Sequence, residues 1–131
     1  MGTGRPDFWP GAIISKNIFV PGQATWTETE LAIVAAFDSA SLINYTVPAD
    51  KILHIAGGFI DNGIDGFGGG QLRLDADIAF YMSVDGHTPL DLSPLATIDA
   101  EAGVVVSLFV INGMDWNMTF RVSLAGYLED F

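Results

Sequence analysis

Residues 71–84 read QLRLDADIAFYMSV, and this stretch decides the fold class. Apolar side chains occupy every even position from Leu72 to Val84, while charged or polar side chains occupy most of the odd positions. A period of two places successive side chains on opposite faces of a β-strand. We therefore predict one long strand over residues 71–84, with one face on a core, followed by a turn at Asp85-Gly86.

Several other segments have the character of strands. Residues 118–128 alternate in the same way, and residues 103–111 (GVVVSLFVI) are apolar on both faces, as in a central or an interface strand. Turn residues separate the remaining candidates, which are residues 12–20, 42–47, 51–60 and 95–99.

The segment TETELAIVAAF, residues 27–37, is ambiguous between helix and strand. Thr27 and Glu30 have the spacing of a helix capping box, and the alanines suit a helix. However, Thr29, Ile33 and Val34 are β-branched, and the segment lies among predicted strands. We favour a strand.

The order and number of these segments indicate an all-β chain. About eight short strands without a βαβ rhythm predict an antiparallel β-sandwich of jelly-roll-like form. The 131 residues suit a single domain, which we place at residues 12–131, after an extended N-terminal arm at residues 1–11. Hydrophobic residues make up 50% of the chain and charged residues only 16%, against about 25% charged in ordinary domains. The high hydrophobicity excludes intrinsic disorder and suggests that partner chains cover part of the surface.

Charge and cysteine content exclude several classes of function. The chain has 16 acidic and 5 basic residues, a net charge of −11. Phosphate backbones and anionic membrane surfaces would repel such a chain, so we predict that neither nucleic acid nor membrane is its partner. The absence of cysteine excludes disulfides, thiolate zinc sites and thiol catalysis.

The arm, MGTGRPDFWPG, combines glycine and proline with two large aromatic side chains. Glycine and proline disfavour helix and sheet, so Phe8 and Trp9 have no local core to join. Docking on a neighbouring chain and packing on the chain's own domain are both open. We predict Phe8, Trp9 and Phe131 as the main interface residues, with Trp26 and Trp116 as further candidates.

Residues 57–70 (GGFIDNGIDGFGGG) are rich in glycine and aspartate. The favoured interpretation is a long loop between two strands, either flexible or ordered by a partner. Oxygen ligands at Asp61, Asn62 and Asp65 offer the alternative of a Ca²⁺ site. The spacing of an EF-hand fails, because its third and twelfth positions would be Gly63 and Leu72.

No catalytic constellation is predicted. His54 and His87 lack the spacing of a metal motif and are interpreted as structural. Asp75 and Asp77 would share one strand face, which is typical of a solvated surface. The tryptophans Trp9, Trp26 and Trp116, with Tyr45, Tyr81 and Tyr127, leave a carbohydrate-stacking platform open as an alternative.

Two short stretches resemble bacteriophage virion proteins of the jelly-roll or β-sandwich type. The corner TVPADK, residues 46–51, resembles a "TVPAGK"-like corner between two strands, although Asp50 stands where glycine is common. The ending FRVSLAGYLEDF, residues 120–131, resembles the close of small phage structural proteins. The resemblance implies a virion role such as head decoration, or a tail, neck or fibre part.

Composition and resemblance together predict a non-enzymatic structural protein of a virion. The favoured role is a capsid decoration or cement protein that docks on the major capsid protein through its arm and its apolar strand faces. We expect a homo-oligomer, with a trimer favoured, and no cofactor apart from the Ca²⁺ alternative. The other roles are a tail, neck or fibre subunit, or a carbohydrate-binding module.

Overall fold

The computed structural model describes residues 23–63, 66–90, 92 and 97–130. These residues form nine β-strands, and among them no helix has the length and apolar character to span a bilayer. The strands are β1 (Gln23–Val34), β2 (Ser39–Thr46), β3 (Lys51–Asp61), β4 (Gly68–Leu74), β5 (Asp77–Val84), β6 (His87–Pro89), β7 (Ile98–Ala100), β8 (Val105–Asn112) and β9 (Met118–Asp130).

The strands pair into two antiparallel sheets that enclose one core. The first sheet has the order β1-β9-β3-β6, with the short β7 also paired to β3; the second has the order β2-β8-β4-β5. If β6 and β7 are counted as two pieces of one strand, the sandwich has eight strands, and the chain crosses repeatedly between the sheets. This is a jelly-roll arrangement, and it confirms the predicted all-β sandwich.

The core lies between the inner faces of the two sheets. Even positions of β9 bury Phe120, Val122 and Leu124 completely, as the alternation predicted. Strand β8 is central in the second sheet, paired on both edges. Its even positions Val106, Leu108 and Val110 are buried in the core. On its outer face Val105, Phe109 and Ile111 are half-buried.

The ambiguous segment forms strand β1. All twelve of its residues pair with β9, from Gln23 opposite Glu129 to Val34 opposite Met118. Trp26 and Val34 are buried in the core, so burial against β9 and the second sheet outweighs the local helix signal at Thr27.

The predicted single strand over residues 71–84 is wrong. The stretch folds back on itself as the hairpin β4–β5, with a turn at Asp75 and Ala76. Asp75 adopts a φ of 55°, a conformation that aspartate tolerates in turns, and its carboxylate accepts a hydrogen bond from the Val105 N–H at 3.0 Å. Asp75 and Asp77 therefore do not share a strand face: Asp75 lies in the turn and Asp77 begins β5.

A register shift in this hairpin changes the direction of one apolar side chain. Leu72 lies opposite Phe80, whereas Arg73 lies opposite Ile78, so Ala79 is the extra residue of a bulge. Ile78 is thereby placed on the outer face beside Arg73. Its side chain is 52% exposed, although the sequence alternation predicted it to face the core.

The predicted long loop at residues 57–70 is also wrong at both ends. Residues 57–61 belong to β3 and residues 68–70 to β4, so six residues separate the two strands in the sequence. The glycines permit close packing: a Cβ on Gly58 would lie 2.0 Å from the Ser123 carbonyl oxygen, and one on Gly68 would lie 2.1 Å from the Ile111 carbonyl oxygen.

The corner at residues 46–51 forms as predicted. Val47 is buried, and the Lys51 N–H donates to the Pro48 carbonyl at 3.1 Å, so the turn leads directly into β3. Predicted strands 42–47 and 51–60 match β2 and β3, and residues 95–99 overlap β7 at Ile98 and Asp99. The predicted arm and the predicted strand at residues 12–20 lie outside the described residues.

Candidate interaction surfaces

The predicted interface residues fall in different places. Phe8, Trp9 and Phe131 lie outside the described residues. Trp26 is only 6% exposed and packs against Tyr45, with ring centroids 5.1 Å apart, so its side chain offers little surface to a partner. Trp116 is exposed, in the connection between β8 and β9.

Four connections lie together at one end of the sandwich, which we call the loop end by its described residues: 35–38, 62–63 with 66–67, 85–86 and 113–117. Backbone hydrogen bonds join them. Phe37 N–H donates to the Met114 carbonyl at 3.0 Å, and Gly113 N–H donates to the Phe67 carbonyl at 2.9 Å. Strand pairing thus brings segments that are distant in sequence onto one surface.

The buried side chain of Asn112 holds two connections of the loop end together. Its amide nitrogen donates to the carbonyl oxygens of Val34 at 3.1 Å, Ala35 at 3.2 Å and Trp116 at 2.7 Å. Its amide oxygen accepts from the Met114 N–H at 2.9 Å. One side chain therefore satisfies backbone groups of both the β1–β2 turn and the β8–β9 connection.

Three large aromatic side chains project from the loop end. Phe37 is 71% exposed, Phe67 is 58% exposed and Trp116 is 47% exposed. Phe37 also has a φ of 55°, in the turn that the Asp38 N–H closes on the Ala35 carbonyl at 3.0 Å. This position of a turn favours glycine or asparagine, so a phenylalanine there costs conformational energy without burying its ring.

The predicted calcium ligands at this end have other partners. Asp61 accepts from the Gly63 N–H at 2.9 Å, and its second oxygen lies 3.5 Å from His87 Nδ1. The Gly63 hydrogen bond, with the charges of His87 and Arg121, holds the pKa of Asp61 below its usual range despite partial burial.

Asn62 is buried, and its amide oxygen accepts from the Gly86 N–H at 2.8 Å. Asp65 lies outside the described residues. Among the described residues, no group of three or more histidines and carboxylates is placed to hold a metal ion. The calcium site stays a prediction.

The outer face of the first sheet carries a polar cluster around His54. Its Nδ1 lies 2.7 Å from Asp99 on β7, and its Nε2 lies 2.7 Å from Glu129 on β9. The imidazole also stacks on the ring of Tyr127, with centroids 4.7 Å apart. Burial lowers the pKa of His54, but the two carboxylates outweigh it, so the pKa is raised above its usual value.

The outer face of the second sheet has a different character, which we call the acid-free face. The strand register and burial place fourteen residues on it, and none of them is aspartate or glutamate. They are Ser39, Ser41, Asn44, Thr46, Gly69, Gln71, Arg73, Ile78, Tyr81, Ser83, Val105, Ser107, Phe109 and Ile111.

The aromatic side chains proposed for a carbohydrate platform are dispersed. Trp26 and Tyr45 pack together, Tyr127 stacks on His54, Tyr81 lies on the acid-free face and Trp116 lies at the loop end. These five side chains do not form one flat surface. Trp9 lies outside the described residues.

Sequence reasoning missed Phe37, Phe67 and Ile78 as surface residues, whereas it placed Tyr81 on the outward face. Phe37 ends an apolar run that is predicted as a strand, and Phe67 stands among glycines, so neither position has a signal for exposure. The alternation predicts Ile78 in the core because its position is even, and the bulge at Ala79 reverses it. A search for aromatic residues among glycines would have found Phe67.

No protein-family model matches the sequence, and no curated protein matches it. Solved structures do share the architecture. A chain of the cyanophage Pam1 capsid asymmetric unit is 15% identical, with a TM-score of 0.50, over 87% of this chain and 91% of the cyanophage chain. The fold resembles that of a phage capsid chain. The resemblance expected from the short motifs is thus confirmed at the level of the fold.

Two further structures are more distant. A chain of Bacillus endospore appendages, which are disulfide-linked pili, is 10% identical with a TM-score of 0.47, over 90% of this chain and 99% of its own length. A chain of infectious bursal disease virus, Gt strain, is 10% identical with a TM-score of 0.48 over 88% of this chain. The present chain spans only 38% of that viral chain.

Proposed function

We propose that the chain is a non-enzymatic structural protein of a virion, a decoration or cement protein that docks on the major capsid protein. The loop end and the N-terminal arm form the docking surface in this proposal. The similarity in fold to the cyanophage capsid chain supports a place in a virion assembly, and the exposed aromatic side chains support a role in binding.

The main support for the proposal is the backbone conformation of Phe37 together with the exposure of its ring. A left-handed conformation costs a residue with a side chain roughly 1–2 kcal/mol. Its ring, 71% exposed, recovers none of that cost through burial in the chain's own core. Strained residues of this kind cluster at functional sites, and here the ring is presented to a partner.

Phe37, Phe67 and Trp116 would supply the buried centre of the contact. Interface energy is concentrated in a few aromatic side chains that become fully desolvated, surrounded by polar groups that exclude water. Repetition of a weak contact over a closed lattice adds avidity, so each copy needs only a modest affinity.

Substitution of Phe37 by glycine tests the proposal, because it removes the ring and the strain together. We expect Phe37→Gly to raise the unfolding free energy in urea by up to about 1 kcal/mol, since glycine accepts this φ. We also expect at least a tenfold loss of binding to particles of the virus that encodes the chain, measured by co-sedimentation. Trp116→Ser should lose binding without the gain in stability.

Deletion of residues 2–11 tests the arm separately. The truncated chain should fold and bind the same particles much more weakly. Full binding by both the truncated chain and Phe37→Gly would refute the proposed docking surface.

The position of the protein in the particle distinguishes the alternative virion roles. Gold-labelled antibody on the head shell supports decoration, whereas label confined to the tail, neck or fibres supports that alternative. Binding to a glycan array, in the absence of particle binding, would support a carbohydrate-binding module. Homo-oligomerisation is part of the proposal, and its contact is argued next.

A further inference from the structure

We propose that the acid-free face of the second sheet binds the same face of a second copy, so that two chains pair through a two-fold contact. The pairing deepens the proposed virion role, because it supplies a building unit for the assembly. It is tested on the purified chain, without particles, so its outcome is independent of lattice docking.

Charge decides which surfaces of two copies can meet. Each copy carries a net charge of −11, so copies repel one another in general. The outer face of the first sheet presents Asp61, Asp99 and Glu129, and the loop end presents Asp38, Asp85 and Asp115. A contact between two copies of either surface would bring carboxylates together.

The acid-free face avoids this cost on both sides of a two-fold contact. The carboxylates nearest in sequence lie at its ends: Asp38 precedes β2, Asp75 lies in the β4–β5 turn, and Asp77 pairs with Leu74 in the inward register. In a chain with 16 acidic residues, a whole sheet face without one is unusual. Depletion of charge is also the mark of the centre of a protein interface.

The single charged side chain on this face is held in place by two neighbours on the same face. Arg73 lies over the ring of Phe109, with its guanidinium carbon 4.0 Å from the ring centroid. Its Nε and Nη2 donate to the Gln71 side-chain oxygen at 3.0 and 2.7 Å. Arginine and aromatic residues held in this way are enriched at interfaces, and the fixed geometry reduces the entropy lost on binding.

The face has both a depression and side chains that project from it. A depression of about 180 Å³ lies over Gly69, which has no side chain, and is bordered by Phe67, Tyr81, Ile111 and Gly113. Tyr81, 64% exposed, and Ile78, 52% exposed, project from the neighbouring strand. In a two-fold contact, the projecting side chains of one copy face the depression of the other.

The small size of the face favours a weak, reversible contact. Four strands about 4.8 Å apart, each with about seven residues rising about 3.3 Å, give a footprint of roughly 19 by 23 Å. This is smaller than the ~800 Å² per partner of a standard stable interface. We therefore expect a reversible dimer with a Kd of about 10–100 µM.

Sedimentation equilibrium of the full chain provides the test. The wild-type chain should form dimers, and raising the salt from about 20 mM to about 150 mM should lower the Kd, because the repulsion between two acidic bodies is screened. Gly69→Glu places a carboxylate in the depression at the loop-end side of the face and should raise the Kd at least about tenfold. Tyr81→Ser should weaken pairing in the same direction.

The matched control is Thr27→Glu, which adds the same charge at an exposed outward position of the first sheet. Its Kd should stay within about twofold of wild type. Gly69→Glu is expected to fold, because a Cβ there meets Ile111 and the Met82 carbonyl at an ordinary 3.6 Å. A circular dichroism spectrum equal to that of the wild-type chain checks this. If Gly69→Glu does not fold, Tyr81→Ser provides the test.

A wild-type chain that stays monomeric to about 500 µM, or forms trimers only, overturns the two-fold contact. An equal increase in the Kd of Thr27→Glu and Gly69→Glu also overturns it, because the weaker pairing would then result from the total charge of the chain and not from this face. A monomer that still binds particles would refute the pairing and leave the proposed virion role intact. A dimer that binds no particles would support the pairing and refute the proposed virion role.

Discussion

At the scale of single residues, two glycines of the same segment have opposite roles. Gly58 lies where β3 passes β9, with a φ of 153° and no room for a Cβ beside Ser123, whereas Gly69 has ordinary space around its Cβ. We expect Gly58→Ala to cost at least about 3 kcal/mol of unfolding free energy in urea, through steric strain. Gly69→Ala should change it by less than about 1 kcal/mol. Equal urea midpoints for the two variants would contradict this packing.

The glycines of this segment explain why the prediction of a long loop was wrong. Glycine-rich composition is typical of loops, so residues 57–70 were predicted as one. Whether a glycine permits motion or close packing depends on the strand that lies against it. The neighbours of Gly58 and Gly68 are Ser123 and Ile111, which no local pattern places beside them.

His54 makes the stability of the first sheet depend on pH. The imidazole donates to Asp99 and Glu129 at once only when both ring nitrogens carry protons. Because its pKa is raised in the folded chain, the charged form stabilises the fold below about pH 6.5, its usual unfolded value. That contribution is lost as the pH rises through the folded pKa.

We therefore predict that the unfolding free energy of the wild-type chain falls as the pH rises above about 6.5. His54→Gln should be less stable than wild type at pH 6 and should lose this part of the pH dependence. His87→Gln, at the chain's other and more exposed histidine, should retain it. Urea titrations at a series of pH values measure the effect, and an unchanged slope in His54→Gln would rule out this role.

At the scale of elements, the sequence predicts strands better than their ends. Alternation correctly identified β9, and the apolar run correctly identified the central β8. It joined β4 and β5 into one strand because the turn at Asp75 and Ala76 keeps the alternation almost unbroken. A two-residue turn and a one-residue bulge leave little trace in a pattern of period two.

The connections at the loop end depend on Asn112. Asn112→Asp replaces the amide donor with a carboxylate oxygen facing the carbonyls of Val34, Ala35 and Trp116. A buried, unpaired charge of this kind is expensive, and we expect a loss of at least about 3 kcal/mol in unfolding free energy.

The matched control for this change is Asn117→Asp. Asn117 is exposed, and its side-chain oxygen accepts from the Ala36 N–H at 3.3 Å, which a carboxylate can also do. We expect its unfolding free energy to stay within about 0.5 kcal/mol of wild type. Similar losses in the two variants would show that Asn112 does not hold the loop end together.

At the scale of the whole molecule, composition predicted a protein with covered surfaces but not which surfaces they are. The low charge content of the chain follows partly from one sheet face without carboxylates. The most exposed aromatic side chains lie on that face, at Tyr81, and at the loop end, at Phe37, Phe67 and Trp116. Both surfaces are assembled from strands distant in sequence, so their existence follows from the jelly-roll topology. The predicted interface residues Phe8, Trp9 and Phe131 stay predictions.

The proposed virion role is tested most directly by quantitative mass spectrometry of virus particles purified on a density gradient from the source of the chain. The account predicts that the protein sediments with the particles at a fixed ratio to the major capsid protein. Recovery of the protein only at the top of the gradient, with intact particles free of it, would contradict the account.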